Sequence, residues 1–349
     1  MNPDTHVRER YSAGAASRQE ELCCPVDYDP ALLEALPAEI IEKDYGCGDP
    51  SRYVRPGDHV LDLGSGGGKL CYMAAQLVGP AGVVIGVDSN DEMLALARRY
   101  QPQMAALLDG ERTRFHKGRI QDLALDLERL EAWLAHNTIR TTADLDRLKA
   151  YEEELRSTHP LIADASVDLV ISNCVLNLVD DRDKGRLIRE IRRVLRPGGR
   201  IAISDIVSDR EVPQHLRRDP DLWSGCISGA FEERAFLEAF VDAGFHAVRY
   251  DKWDPAPWRE VEGIRFRAVT VTAVNPPAAD DTLAGGNVFY RGPYAQVALE
   301  NGRVFQRGRR TEVTPGLRAL LSSGVYGEDF VEPDGVTVPS EGGCGPRCC

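Results

Sequence analysis

Along residues 58–275, short continuous apolar runs alternate with spaced apolar stripes, and this rhythm predicts strand–helix units. Runs at 59–63, 82–88, 113–117, 167–172, 199–205, 246–250 and 266–274 read as buried strands. Between them, apolar residues recur at helical spacing over 69–78, 91–100, 183–195 and 231–243. Asn90 and Asp91 suit a helix opening, and Pro197-Gly198-Gly199 closes the helix that ends at Leu195. Such alternation implies an α/β fold, a mostly parallel seven-stranded sheet with helices on both faces.

Three stretches leave the rhythm. Residues 1–57 hold one helical segment, Pro30–Lys43, followed by the turn formers Asp44-Tyr45-Gly46-Cys47-Gly48-Asp49-Pro50, and read as an N-terminal cap over the mouth of the fold. Residues 123–160 are polar, with Leu123, Leu127, Leu130, Trp133 and Leu134 near helical spacing; they read as a helical pair inserted on the surface. Beyond Asn275-Pro276-Pro277 the composition changes again. Residues 276–349 form a small C-terminal appendage, with a β-meander expected over 286–312 and a tail ending Cys344-Gly345-Pro346-Arg347-Cys348-Cys349. The expected division is therefore a cap at 1–57, a main domain at 58–275 and an appendage at 276–349.

Composition narrows the classes. A chain of 349 residues that is 43% hydrophobic can bury a sizeable core. Its 55 acidic against 42 basic side chains give a charge of −13, which argues against a nucleic-acid partner. No run approaches the roughly 18 apolar residues of a membrane helix, and residues 1–21 lack an apolar signal core. The expectation is a cytoplasmic protein with no membrane partner, whose nine cysteines are mostly reduced.

The run 60–63 stops at Gly64-Ser65-Gly66-Gly67-Gly68, and the next run ends on Asp88. A buried strand that carries Asp62, a glycine turn, and an acid at the tip of the following strand make a Rossmann-like nucleoside site, with Asp88 accepting from ribose hydroxyls. The glycines fit neither G-x-G-x-x-G nor a phosphate loop, so the turn suits a nucleoside without phosphates, and S-adenosylmethionine fits best. Ser89 follows at the strand tip. Ile120 would lie on the adenine face, with Gln121 or Asp122 near its amino group, and Ser172-Asn173-Cys174 ends the fourth strand on the same side.

Cys47, Cys174 and Cys226 all fall in turns on the strand-end side, among glycines and serines. A converging trio of thiols suits a soft element. Zinc prefers four ligands from paired motifs, whereas these three are singletons. Trivalent arsenic fills three thiolate positions and keeps a lone pair, the nucleophile that a sulfonium methyl needs. Cys71, among Leu70, Met73 and Ala74, reads as a small buried hydrophobe.

Together, Tyr45-Gly46-Cys47-Gly48, the run Val60–Gly66, Gly86-Val87-Asp88, Ser172-Asn173-Cys174-Val175-Leu176-Asn177-Leu178 and Leu222-Trp223-Ser224-Gly225-Cys226 resemble the successive motifs of the bacterial-type arsenite S-adenosylmethionine methyltransferases. The resemblance covers about residues 20–275. It implies the S-adenosylmethionine-dependent methyltransferase fold, with Cys47, Cys174 and Cys226 as arsenic ligands. It also implies Cys23 or Cys24 as a redox thiol pairing with Cys47, and Tyr45 near the methionine part of the donor. Asp62, Gly64, Ser65, Gly66, Asp88, Ser89, Ile120, Gln121 and Asn173 make up the rest of the expected donor site. The implied activity is methylation of arsenite or its thiol conjugates to methylarsenicals, a detoxification chemistry with glutathione or thioredoxin as reductant. The sequence departs from the family's pattern at Lys69-Leu70, at Ser89 and in the longer 123–160 insertion. Two other readings stand beside it. One is a methyltransferase for a different small acceptor, which needs a base and has only His116 near the strand ends. The other is a non-catalytic metalloid-binding protein, which would not need the glycine turn or Asp88.

Overall fold

The computed structural model describes residues 26–43, 46–277 and 285–333. The described chain falls into two compact units that divide between Asn275 and Pro276.

In the first unit, β1 (His59–Leu63) is buried along almost its whole length and pairs in parallel with β2 (Val83–Asp88) on one side and β4 (Val167–Asn173) on the other. β3 (Thr113–Lys117) continues the parallel order beyond β2, and β5 (Leu195–Ser208) beyond β4. β9 (Ile264–Val274) then runs antiparallel to β5, with β7 (His246–Trp253) antiparallel at the edge. The path is β3-β2-β1-β4-β5-β9-β7, seven strands as the apolar runs predict. Two short strands lie off it: β6 (Phe231–Glu232) beside β5 and β8 (Arg259–Val261) beside β9. Strands buried on both faces explain the continuous apolar runs.

Helices cover both faces. On one, α3 (Lys69–Val78) and α4 (Asp91–Leu107) pack Tyr72, Met73, Leu94 and Met104 against Val60 and Ile171. On the other, α7 (Asp181–Val194) and α10 (Glu233–Asp242) pack Leu187, Ile191, Phe236 and Phe240 against Leu61, Ile203 and Val271. The cap helix expected over Pro30–Lys43 is two helices, α1 (Pro30–Glu34) and α2 (Ala38–Glu42). Pro37 separates them, because proline disfavours helical backbone in the residue before it. Leu36 and Ile40 bury this cap against the α3 and α4 side, and Gln76 donates to the Leu32 carbonyl at 2.9 Å.

The 123–160 insertion is an antiparallel pair, α5 (Leu127–His136) and α6 (Thr142–Thr158). Leu125, Leu130 and Leu155 form its small core, and Trp133 stacks on Tyr151 with centroids 5.2 Å apart. Two short helices, α8 (Gln214–Arg217) and α9 (Pro220–Ser224), follow β5 and lead to the Cys226 turn.

The second unit differs from the expected meander. β10 (Asn287–Tyr290) pairs with β13 (Arg310–Glu312) and β14 (Phe330–Val331), while β11 (Gln296–Ala298) and β12 (Val304–Gln306) form a separate hairpin. Pro293 lies between β10 and β11 and cannot donate to a ladder. The helix α11 (Pro315–Ser322) and the residues Val288, Tyr290, Phe305, Leu321 and Phe330 complete a small core of its own.

Candidate active site

The strand ends of β1, β2, β3 and β4 surround one cavity of about 450 Å³, a volume within the range of small-ligand sites. Asp62, Gly64, Ser65, Gly66, Asp88, Ser89, Ile120, Gln121 and Asn173 all line it. Tyr45 lies outside the described residues.

The glycine turn is built by close approach. Gly64 and Gly66 take φ of +70° and +51°, which glycine tolerates without strain. A Cβ on Gly64 would stand 2.5 Å from Val175 Cγ1, whereas a Cβ on Gly66 would meet nothing within 4 Å. The Gly66 N–H donates to one oxygen of Asp88 at 2.9 Å, and the Asn90 N–H donates to the other at 2.8 Å. The acid is thus held at the cavity wall with lone pairs left over. Burial pushes its carboxyl up from the usual range, against the pull of those backbone N–H groups. Ser65 Oγ is buried with no hydrogen-bond partner. An unpaired hydroxyl in a glycine-lined cradle beside a fixed acid fits a polar nucleoside such as S-adenosylmethionine. Cys71, expected as core filler, is fully buried and also donates to Asp62 Oδ2 at 3.2 Å. Burial, with Asp62 adding to it, raises this thiol well above its usual value, so it stays protonated.

Two of the residues expected near the donor have side chains engaged elsewhere. The Asn173 side chain is committed to the cap rather than left free for a ligand. Its Oδ1 accepts from the Cys47 and Gly48 N–H groups at 2.9 and 3.1 Å, and its Nδ2 donates to the Gly48 carbonyl at 2.8 Å and the Tyr28 hydroxyl at 3.1 Å. Asp122 is likewise spoken for by Arg156 at 3.0 Å and Arg186 at 2.8 Å, which leaves Gln121 as the polar residue of that pair at the cavity.

The structure brings the three cysteines together. Cys47 and Cys226 are buried in one apolar cluster with Ile206, Leu216 and Phe266, and Cys174 packs against it. Cys47 and Cys174 are joined as a disulfide, with Cα atoms 5.9 Å apart, and Cys226 Sγ lies 3.2 Å from the Cys174 carbonyl oxygen. The partner bonded to Cys47 is therefore Cys174; Cys23 and Cys24 lie outside the described residues. Cys174 and Cys226 both have left-handed backbone, φ 57° and 60°, a conformation that costs a non-glycine residue on the order of 1–2 kcal/mol. Their N–H groups are tied to the Ser204 and Trp223 carbonyls at 2.8 and 3.0 Å. Cys174, alone of the three, also lines the cavity.

Asp205 is a residue that sequence reasoning missed. β4 and β5 pair Asn173 with Ser204, which sets the next residue of β5 beside Cys174. A carboxylate oxygen of Asp205 and the sulfurs of Cys47 and Cys174 all lie within 4.8 Å of one another. Complete burial pushes this carboxyl up to about 7, against N–H bonds from Ile206 at 2.8 Å and Asn177 at 3.3 Å. Asn177 Nδ2 also donates to the Ile206 and Cys226 carbonyls at 2.7 and 3.3 Å, so one residue holds the acid through its N–H and the third cysteine turn through its side chain. A lone acid inside the apolar run 199–205 gave no local sign of this role. His116, the base that a different acceptor would require, is half-buried on β3 and is not part of the cavity lining.

Residues 55–160 and 139–244 match a methyltransferase domain, and residues 280–341 match a domain of unknown function, DUF8838. An arsenite methyltransferase of Halobacterium salinarum is 35% identical over 69% of this chain and 57% of its own length. That of Aquipseudomonas alcaligenes is 32% identical over 81% of this chain and 78% of its own. Among solved structures, an arsenic(III) S-adenosylmethionine methyltransferase from Chlamydomonas reinhardtii superposes with a TM-score of 0.55 at 28% identity, covering 87% of this chain and 96% of that one. No helix among the described residues is long and apolar enough to cross a membrane.

Proposed function

From the fact that this chain belongs to the arsenite methyltransferase family, we propose that it transfers a methyl group from S-adenosylmethionine to trivalent arsenic held by its own thiols. The observation that carries the reading is the junction at Cys174, whose residue belongs at once to the cysteine cluster and to the lining of the glycine-turn cavity. S-adenosylmethionine supplies an electrophilic methyl on a sulfonium.

Asp88 holds the ribose, Ser65 and the glycine turn receive the rest of the polar donor, and Ile120 with Gln121 faces the adenine. Cys47, Cys174 and Cys226 hold the arsenic by exchange of its oxygen or thiol ligands. Three sulfur ligands leave the arsenic lone pair free, so the attack itself needs no general base. Methyl transfer leaves the arsenic two electrons more oxidised. Two protein thiolates return those electrons by pairing as a disulfide, and glutathione or thioredoxin reopens it. The bonded Cys47–Cys174 pair is the oxidised form of such a site and must be reduced before arsenic binds.

The test is methylation of arsenite by the reduced full chain with donor and thiol. Cys174→Ser and Cys226→Ser should each abolish methylation of every arsenic substrate. Cys47→Ser should block arsenite yet spare an already methylated arsenical, which offers only two exchangeable positions. Wild-type arsenite methylation by Cys174→Ser would end the ligand assignment.

A further inference from the structure

The α5–α6 hairpin adds nothing to the sheet, whose strands β3 and β4 flank it in sequence. It nevertheless reaches the cavity. Leu127, Leu130, Glu131 and Leu134 of α5, spaced i, i+3, i+4 and i+7, present one helix face to the lining. Lys117, the last residue of β3 and the register partner of Asp88, extends its ammonium to Glu131 at 2.6 Å and to Asp91 of α4 at 2.8 Å. Glu128 adds a second tie to α4 through Arg98, also at 2.8 Å. The α5 face is therefore anchored on the side of the cavity where Asp88, Ile120 and Gln121 stand. On α6, Arg156 grips Asp122 and takes that carboxylate out of the cavity. Leu134 keeps 37% of its surface exposed at the rim, apolar area that a ligand in the cavity would remove from water.

Resting on the reading of this cavity as the S-adenosylmethionine site, we propose that α5 is its adenosyl-side wall. Leu127, Leu130 and Leu134 supply apolar surface to the bound donor, and the Asp91–Lys117–Glu131 bridge holds that surface in place. The insertion is then a binding element for the methyl donor. Arsenic capture by the thiols is independent of it.

The experiment is calorimetric titration of the reduced full chain with S-adenosylmethionine, paired with arsenite binding followed by tryptophan fluorescence. Leu134 is at the rim, so its replacement leaves the fold intact. Leu134→Ala should weaken donor binding about threefold and Leu134→Asp tenfold or more, with arsenite binding unchanged. Leu145→Asp, an exposed position on α6 outside the cavity, should bind the donor as wild type does. Wild-type donor affinity in Leu134→Asp would overturn the wall, as would an equal loss in Leu145→Asp or a parallel loss of arsenite binding in both Leu134 variants. Failure of the unaltered chain to bind S-adenosylmethionine would instead sink the methyltransferase reading, and this inference with it.

Discussion

Asn173→Ala isolates the join between the cap and the sheet. In the native chain this side chain accepts the Cys47 and Gly48 N–H groups and donates to the Gly48 carbonyl and the Tyr28 hydroxyl. Cys47 and Gly48 are buried, and a Cβ on Gly48 would come within 2.3 Å of Ser204 Oγ, so the cap crosses the strand ends at contact distance with no room to re-form those bonds. An orphaned buried donor costs about 1–3 kcal/mol, and two of them put the local loss at about 2–6 kcal/mol. At 1.4 kcal/mol per decade, the cap around Cys47 should open roughly 30- to 20,000-fold more often. Hydrogen exchange of a peptide spanning residues 46–54 in reduced protein reads this directly. Arsenite methylation should fall with it, because Cys47 is no longer held beside Cys174. In oxidised protein the disulfide restrains the same loop, and the change in exchange should shrink. Unchanged exchange and unchanged arsenite methylation in a folded Asn173→Ala chain would refute the argument.

Two further outcomes follow from the acids. Asp88→Ala should weaken S-adenosylmethionine binding by about 1.5–3 kcal/mol, roughly ten- to a hundredfold, and unchanged calorimetric affinity would remove Asp88 from the ribose. For Asp205, the folded carboxyl titrates near 7 against an ordinary 3.8, so the folded state keeps a proton that the unfolded chain releases between those values. Stability should therefore fall as pH rises through that window, by at most about 4 kcal/mol, and level off above 7. Asp205→Asn should remove this component, and urea unfolding of the two proteins at pH 5 and pH 8 measures it; identical pH dependence would show that Asp205 ionises freely in the native state.

Local pattern determined much of this protein. A buried strand leaves a continuous apolar run and a covering helix a 3.6-residue stripe, so β1 and α3 lie where the pattern predicts them, over His59–Leu63 and Lys69–Val78. The glycine turn and Asp88 were legible for the same reason, since turn, strand tip and helix start lie within one short segment. The cysteine trio was legible only as chemistry: three thiols in turns rather than in apolar stripes. The tertiary structure alone decided what those turns meet. Asp205 entered the thiol cluster because β5 lies beside β4 with Asn173 opposite Ser204, a register that no local period encodes. Asn173, which lines the cavity, also anchors the cap, and Asp122 clamps the hairpin, through partners 125 residues and 34 residues away along the chain. The α5 face reads in sequence as one side of a surface helix, and only its docking over β3 makes it a cavity wall. Residue spacing encodes which face of an element is apolar; which other element covers that face depends on the order and register of strands brought together from across the chain.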